Sequence, residues 1–148
     1  MSVGPPKAGK VTETTENYLK RIYILTTELG KARMSDIART MGRSLSSTSE
    51  AVKRMAEEGF LSHKKYGAIT LTNKGKAIAE RVHDNYNSLH SLLHSLGIPD
   101  SVAVLDACSM EHSISKETIY TINEFVKYIE SNPNGKKLID NFKNSKKN

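Results

Sequence analysis

Cysteine is almost absent from this chain of 148 residues, in which Cys108 stands alone. A single cysteine excludes an intrachain disulfide framework and is typical of a protein of the reducing cytosol. No stretch approaches the ~18 consecutive apolar residues that a membrane span needs. The first ten residues, MSVGPPKAGK, contain no apolar segment of the kind found in signal peptides. We therefore expect a cytoplasmic protein that has no membrane partner.

Charge of one sign is in excess. The chain carries 22 Lys and Arg against 16 Asp and Glu, which gives a net charge of +6 with neutral histidines. Such an excess favours an anionic partner such as nucleic acid, although many basic proteins bind none. A hydrophobic content of 37% allows a core for one domain or two small ones. The sequence contains neither an internal repeat nor a second predicted hairpin, so we do not expect a further β domain.

The first half of the chain has the pattern of a winged helix-turn-helix over residues 12–73, preceded by a flexible arm at 1–11. A first helix is predicted from a cap at Thr12, Thr14 or Thr15 to Gly30. A second follows in MSDIARTMG, and a third in SSTSEAVKRMAEEG, capped by Ser44 or Ser46. Two short strands, FLSHKK and AITLT, then flank the turn KYG. The predicted inward positions are Tyr18, Ile22, Leu25, Leu29, Ile37, Ala38, Met41, Thr48, Val52 and Met55.

The second half is predicted to be a helical domain over residues 74–132, followed by a basic tail or short helix at 133–148. A long helix is expected from a cap at Thr72 to Leu96, then a short one capped by Asp100 and a third capped by Ser115. SNPNG ends that third helix. The predicted inward positions are Val82, Tyr86, Leu89, Leu93, Leu96, Ile119, Ile122, Val126 and Ile129.

The third helix is the candidate for DNA reading, because an α-helix fits the major groove and small hydroxyls at its start allow close approach to phosphates. The predicted DNA contacts are Ser46, Ser47, Thr48, Ser49, Lys53 and Arg54 on that helix, with Lys64, Lys65 and Tyr66 at the hairpin tip. The alternative is that the serines are ordinary helix caps, the lysines belong to a solvated turn, and Thr48 faces inward.

The stretch LDACSMEHSIS places a thiol, a carboxylate and an imidazole within one helical turn. Cys108, Glu111 and His112 have the spacing i, i+3 and i+4, which puts them on one helix face. This donor set suits Fe²⁺, Co²⁺, Ni²⁺ or Zn²⁺ better than Mn²⁺, which prefers oxygen. The alternative is a buried cysteine, a solvated glutamate and a histidine that caps the helix. Catalysis is not expected, because the pair Cys108 and His112 lacks an orienting partner and an oxyanion site.

The segments TENYLKRIYILTTELGKARMSDIARTMGRSLSSTSEAVKRMAEEGFL, LTNKGKAIAERV and LDACSMEHSIS together resemble the diphtheria-toxin-repressor and manganese-transport-regulator family, over roughly residues 12–131. The resemblance implies a mainly α fold, a winged helix-turn-helix followed by a helical dimerisation domain, in the short form without an SH3-like domain. It implies metal ligands at Asn17, Cys108, Glu111 and His112. The Cys-x-x-Glu-His run is that of the iron branch, whereas the manganese branch has a glutamate at the position of Cys108.

Several positions depart from the family pattern. Asn17 stands where the iron branch has methionine and the manganese branch aspartate, and Lys20 replaces a ligand glutamate of the manganese branch. Tyr86, His90 and Val104 occupy positions that serve a second metal in the family. Tyr86 and His90 are therefore only weaker ligand candidates. With His83 and His94, His90 is otherwise expected at the surface or at a dimer interface.

The resemblance predicts a metal-responsive, dimeric transcriptional repressor that binds a pseudo-palindromic operator in double-stranded DNA and has no small-molecule substrate. Fe²⁺ is favoured over Mn²⁺ as the metal, with Zn²⁺, Co²⁺ and Ni²⁺ possible. Two alternatives remain: a winged-helix regulator without metal control, responding to redox through Cys108, and a protein-interaction module built on the winged fold.

The segment GPPKAGKV matches the pattern of a phosphate-binding loop in part. Val11 replaces the hydroxyl residue that binds magnesium in such loops, so we do not expect a phosphate-binding loop here.

Overall fold

The computed structural model describes residues 11–64 and 67–147. These residues form two compact units, one ending at Arg81 and the other beginning at Val82. The predicted arm, apart from Val11, and the predicted hairpin-tip residues Lys65 and Tyr66 lie outside the described residues. The mainly α fold and the winged helix-turn-helix order are confirmed.

Three helices open the first unit: α1 (Glu13–Leu29), α2 (Met34–Met41) and α3 (Leu45–Glu57). The side chain of Thr12 accepts a hydrogen bond from the Thr15 backbone N–H and caps α1, while Gly30 ends that helix in the left-handed conformation with φ 76°. Ser44 caps α3 by accepting from the Ser47 N–H at 3.1 Å. Both helix starts were predictable because caps are local signals.

The hairpin pairs β1 (Leu61–His63) with β2 (Ile69–Leu71) in antiparallel register, with Leu61 opposite Leu71. Each strand has three residues and is shorter than the sequence pattern indicated. Ala32, between α1 and α2, adds an isolated bridge to Ile69, whose N–H donates to the Ala32 carbonyl at 2.9 Å. The edge of the hairpin is therefore tied to the start of the helix-turn-helix.

A single apolar cluster holds the first unit together. Ile22, Ile37, Met55 and Ile69 are fully or almost fully buried, so α1, α2, α3 and the hairpin all contribute to one core. Leu29 was expected inside but is 56% exposed, because it occupies the last position of α1, beyond the packed stripe. Met41 packs against the core and is partly buried.

The remaining helices are α4 (Asn73–Ser95), α5 (Asp100–Met110), α6 (Lys116–Ser131) and α7 (Pro133–Ser145). Thr72 caps α4, accepting from the Gly75 N–H at 3.2 Å. Ser115 caps α6 as predicted. The predicted cap at Asp100 is wrong: Pro99 is the cap position of α5, and the Asp100 carboxylate contacts His90 instead.

The second unit has a smaller core, in which Leu89 of α4, Ala107 of α5 and Ile119 of α6 are buried. α6 and α7 pack closely at Gly135, where a Cβ atom would lie 2.7 Å from the Ile129 Cα. The tail predicted as a short helix is thus a helix of 13 residues. Within the described residues, no helix has the length and apolar character to cross a membrane.

Gly75 fixes the start of α4 against the hairpin, since a Cβ at this position would lie 2.0 Å from the Phe60 carbonyl oxygen. We expect Gly75→Ala to lower the free energy of unfolding by about 1–3 kcal/mol, because the backbone must move to admit one methyl group. Thermal and urea unfolding followed by circular dichroism measure the loss. Lys76→Ala, at the exposed neighbouring position, is the control and should change stability little; equal stability of both variants contradicts the close contact.

Candidate metal centre and nucleic-acid interface

The predicted donors Cys108, Glu111 and His112 lie at the end of α5 and just after it. The helix ends at Met110, Glu111 is its C-terminal cap in a right-handed helical conformation, and His112 belongs to the following turn. The prediction that all three share one face of a helix is therefore only partly correct. The Glu111 N–H still donates to the Ala107 carbonyl at 3.0 Å, so the helical path continues to the carboxylate.

Glu111 is the most unusual of these residues, because a carboxylate side chain is completely buried there. Its Oε1 lies 3.1 Å from Nε2 of His112, whose side chain is 5% exposed. The alternative of a solvated glutamate is wrong. Cys108 is half-buried one turn earlier in α5. A buried carboxylate needs a partner to offset its lost hydration, and the imidazole is one such partner.

Two side chains of α4 add to this environment. Asn85 is buried, and its Nδ2 donates to the Glu111 backbone carbonyl at 3.4 Å. Burial raises the pKa of the Tyr86 hydroxyl above its usual range, and the charges of Cys108, Asp100 and Glu111 raise it further. Tyr86 therefore stays protonated at neutral pH and adds no negative charge beside the carboxylate.

His90, the other weaker ligand candidate, belongs to a different arrangement. Its ring stacks between Tyr86 and His94, with centroid separations of 5.7 and 6.1 Å. Its Nε2 lies 2.8 Å from Oδ1 of Asp100. His83 is partly buried, and Val104 is a partly buried residue of α5. A second metal site at these positions stays a prediction.

The chemistry of the main donor set fits a divalent transition metal, since it offers a thiol, a buried carboxylate and a buried imidazole. Within residues 11–64 and 67–147, however, no three side chains of His, Cys, Asp or Glu are grouped so that they could hold a metal ion. Asn17 and Lys20 lie on α1, the first half-buried and the second buried. Ligation by Asn17 is not tested by this arrangement and stays a prediction from the resemblance.

The exposed face of α3 carries most of the predicted DNA contacts. Ser46, Ser47, Ser49, Lys53 and Arg54 are all exposed. Ser47 also takes part in the helix cap, since its hydroxyl accepts from the Ser44 hydroxyl at 3.0 Å. Of the predicted hairpin-tip residues, Lys64 is described and exposed.

Thr48 contradicts the prediction of a DNA contact. Its side chain is fully buried in the first unit, and its hydroxyl has no hydrogen-bond partner among the described residues. The physical reason is the helical period, which puts Thr48 on the same inward stripe as Val52 and Met55.

Two clefts in the first unit bring together basic residues that lie far apart in the sequence. Arg54 lines one cleft with Thr14 and Lys74. The other is lined by Lys31, Arg33, Met34, Ser35, Leu45, His63, Gly67 and Ala68. The residues of the second cleft lie up to 37 positions apart in the sequence. The two cations on either side of Ala32 are the one local feature that pointed to this cleft.

Thr48→Val tests whether Thr48 is a core residue and not a DNA contact. Because the hydroxyl is buried without a partner, replacing it with an isosteric methyl group removes a desolvation cost, and we expect stability to rise by about 1 kcal/mol. DNA affinity should not change. Urea unfolding and fluorescence anisotropy measure the two quantities, with Ser46→Ala, at an exposed position, as the comparison. A loss of DNA affinity in Thr48→Val at unchanged stability contradicts this assignment.

Two family models match the chain one after the other. Residues 10–69 match the iron dependent repressor, N-terminal DNA binding domain. Residues 72–140 match the iron dependent repressor, metal binding and dimerisation domain. Helix α3 lies in the first match, and Cys108, Glu111 and His112 lie in the second.

Solved structures resemble the chain over most of its length. The manganese regulator SloR is 26% identical with a TM-score of 0.68, and the match covers 80% of this chain and 55% of that one. T. acidophilum IdeR is 27% identical with a TM-score of 0.66, and the match covers 78% of this chain and 54% of that one. A manganese-dependent transcriptional repressor in complex with manganese is 27% identical with a TM-score of 0.69, and the match covers 77% of this chain and 53% of that one. This chain thus spans about half the length of each of these three structures.

The two consecutive matches cover nearly all of the described residues, and both are to domains of the iron dependent repressor, the N-terminal domain first. The chain belongs to the iron-dependent repressor family.

Proposed function

We propose that this chain is a metal-responsive, dimeric transcriptional repressor of the cytoplasm that binds a pseudo-palindromic operator. The observation that carries the proposal is the buried pair of Glu111 and His112, one turn from Cys108, inside the region that matches a metal binding and dimerisation domain. The exposed, hydroxyl-rich start of α3 lies in the region that matches a DNA-binding domain. These two features supply a sensor and a reader in one chain.

The proposed metal ligands are Cys108, Glu111 and His112. A bound dication would supply the positive charge that balances a thiolate and a buried carboxylate at one place. Glu111 contributes the buried negative charge, and His112 contributes a nitrogen already directed at that carboxylate. Asn17 is proposed as a further ligand on the family resemblance alone.

We propose Fe²⁺ ahead of Mn²⁺ as the effector, because a thiolate is a softer ligand than the oxygens that Mn²⁺ prefers. Zn²⁺, Co²⁺ and Ni²⁺ are compatible with the same donors. SloR and the repressor with bound manganese are manganese proteins, so the choice between the two metals rests on Cys108.

The proposed DNA contacts are Ser46, Ser47, Ser49, Lys53, Arg54 and Lys64, all of them exposed. The serines are small enough to bring the helix backbone near the bases, and the cations suit phosphates. Two copies of α3 in a dimer would read half-sites about 34–36 Å apart, one turn of the double helix. Lys65 and Tyr66 extend the proposed surface beyond the described residues.

Glu111→Gln is the test of the sensor. The amide keeps the shape and a hydrogen bond toward His112 but removes the negative charge, so we expect the fold to persist and metal-stimulated DNA binding to disappear. In the unsubstituted protein, metal should raise DNA affinity some 30- to 150-fold, the effect of a coupling of ~2–3 kcal/mol. Fluorescence anisotropy on the protein's own upstream DNA measures this at fixed salt, with chelator, anaerobic Fe²⁺ or Mn²⁺.

Glu124→Gln is the matched control, because Glu124 is exposed on α6 and its carboxylate lies 3.3 Å from the ammonium group of Lys127, at the surface. It makes the same change of charge in the same unit and should retain the full metal response. Scrambled DNA controls for binding that lacks sequence preference. A full metal response in Glu111→Gln would sink the ligand assignment, and selective binding that ignores chelator would remove metal control from the proposal.

Cys108→Ser tests the thiolate directly, without DNA. Co²⁺ bound through sulfur should give a thiolate-to-cobalt charge-transfer absorption in the near ultraviolet, and the serine variant should lose that band. We also expect the affinity for Fe²⁺ and Co²⁺ to fall by more than the affinity for Mn²⁺, because serine leaves a hard oxygen in place of sulfur. Ser109→Ala, at the exposed next residue, is the control. An unchanged cobalt spectrum in Cys108→Ser contradicts sulfur ligation.

A further inference from the structure

Leu45 is an unexpected residue for a DNA-reading surface. It is the first residue of α3, and its large apolar side chain is 59% exposed. The residues that follow it on the exposed side of the helix are serines, two glutamates and cations. An apolar side chain in such surroundings gains free energy only if a partner covers it.

The helical period places Leu45 on the proposed reading face. Leu45, Ser49 and Lys53 stand at i, i+4 and i+8, so they form one stripe along α3, and all three are exposed. The opposite stripe is buried in the core through Thr48, Val52 and Met55. The core therefore fixes which way Leu45 points relative to its neighbours.

The groove beside Leu45 is basic. Lys31, Arg33 and His63 line the same groove, and none of the described residues that line it is acidic. This groove lies between the segment around Ala32, the start of α3 and the hairpin, and its charge is complementary to a phosphate backbone. The charge therefore favours a nucleic-acid strand as the occupant of this groove. Leu45 would then lie beside that strand, within reach of the edge of a base.

We infer that Leu45 makes the apolar contact to the methyl group of a thymine in each half-site, and thereby selects that base. The inference rests on the proposed function and adds to it a residue that determines specificity. Among the base edges in the major groove, only thymine presents an apolar group, the C5 methyl, so an exposed leucine has one matching target there. Lys31 and Arg33 would hold the adjacent phosphates and set the position of the strand.

Replacing thymine with deoxyuridine removes that methyl group and nothing else, so it isolates the contact. An operator is first obtained by in vitro selection from random DNA with the metal-loaded protein. Each thymine is then replaced singly with deoxyuridine, and affinity is measured by anisotropy at fixed salt. Burial of one carbon is worth about 0.8 kcal/mol, so we expect about a fourfold loss at one thymine per half-site and about 15-fold when both half-sites are changed.

Leu45→Ala should bind the thymine and deoxyuridine operators equally at that position, with an affinity near that of the unsubstituted protein for the deoxyuridine operator. Leu45→Met keeps a flexible apolar side chain and should retain the preference for thymine. Leu29→Ala is the matched control, because Leu29 is also an exposed leucine of the first unit, at 56%, and does not line this groove.

The outcomes separate this inference from the proposed function. Selective, metal-dependent binding with no deoxyuridine effect, or with an equal effect in Leu45→Ala, overturns the thymine contact and leaves the repressor intact. A change in oligomeric state of Leu45→Ala with unchanged base preference also overturns it, because Leu45 would then cover a protein surface. Absence of any selective DNA binding by the unsubstituted, metal-loaded protein removes the proposed function and this inference together.

Discussion

The buried carboxylate of Glu111 is the constraint around which the second unit is arranged. An isolated charge in that position would cost several kcal/mol, so its surroundings must compensate for the lost hydration. The imidazole of His112 approaches the carboxylate to 3.1 Å, and Asn85 donates to the backbone carbonyl of the same residue. Burial, reinforced by neighbouring negative charges, raises the pKa of the nearby Tyr86 hydroxyl above its usual range, further still from neutral pH. The end of α5 and the middle of α4 thus meet at Glu111, whose carboxylate contacts His112 and whose backbone carbonyl accepts from Asn85.

The first unit obeys a different constraint, the packing of one helical stripe. Val52 and Met55 lock α3 into the core, and the period of the helix then decides which residues remain exposed. The close approach of Gly75 to the Phe60 carbonyl holds the start of α4 against the hairpin. The proposed reading surface is polar and exposed and gains little stability of its own, so its geometry depends on the apolar contacts behind it.

Signals that act over a few residues were readable from the sequence. The caps at Thr12 and Ser115 follow from hydroxyl residues placed before amphipathic stretches, and helical spacing gave the buried stripes. Errors arose where tertiary contacts decide. The sequence predicts Asp100 as a helix cap, but its carboxylate contacts the ring of His90, ten residues earlier. The basic groove beside Leu45 was missed because its residues come from three separate segments, and no local pattern reports that meeting. The burial of Glu111 was missed for the same reason.

The contact between Glu111 and His112 also bears on how a sensor of this kind is tuned. Oε1 of Glu111 already contacts Nε2 of His112, so the free energy of that contact opposes any ligation that uses the same two atoms. Ligation by histidine and cysteine further requires that each has lost its proton, which makes affinity dependent on pH. The proposed effector would shift the proposed dimer between two states only by its difference in affinity for them. In the proposed repressor, the contact between these two donors therefore lowers the net metal affinity and raises the metal concentration at which the response begins, without any change in the proposed DNA contacts.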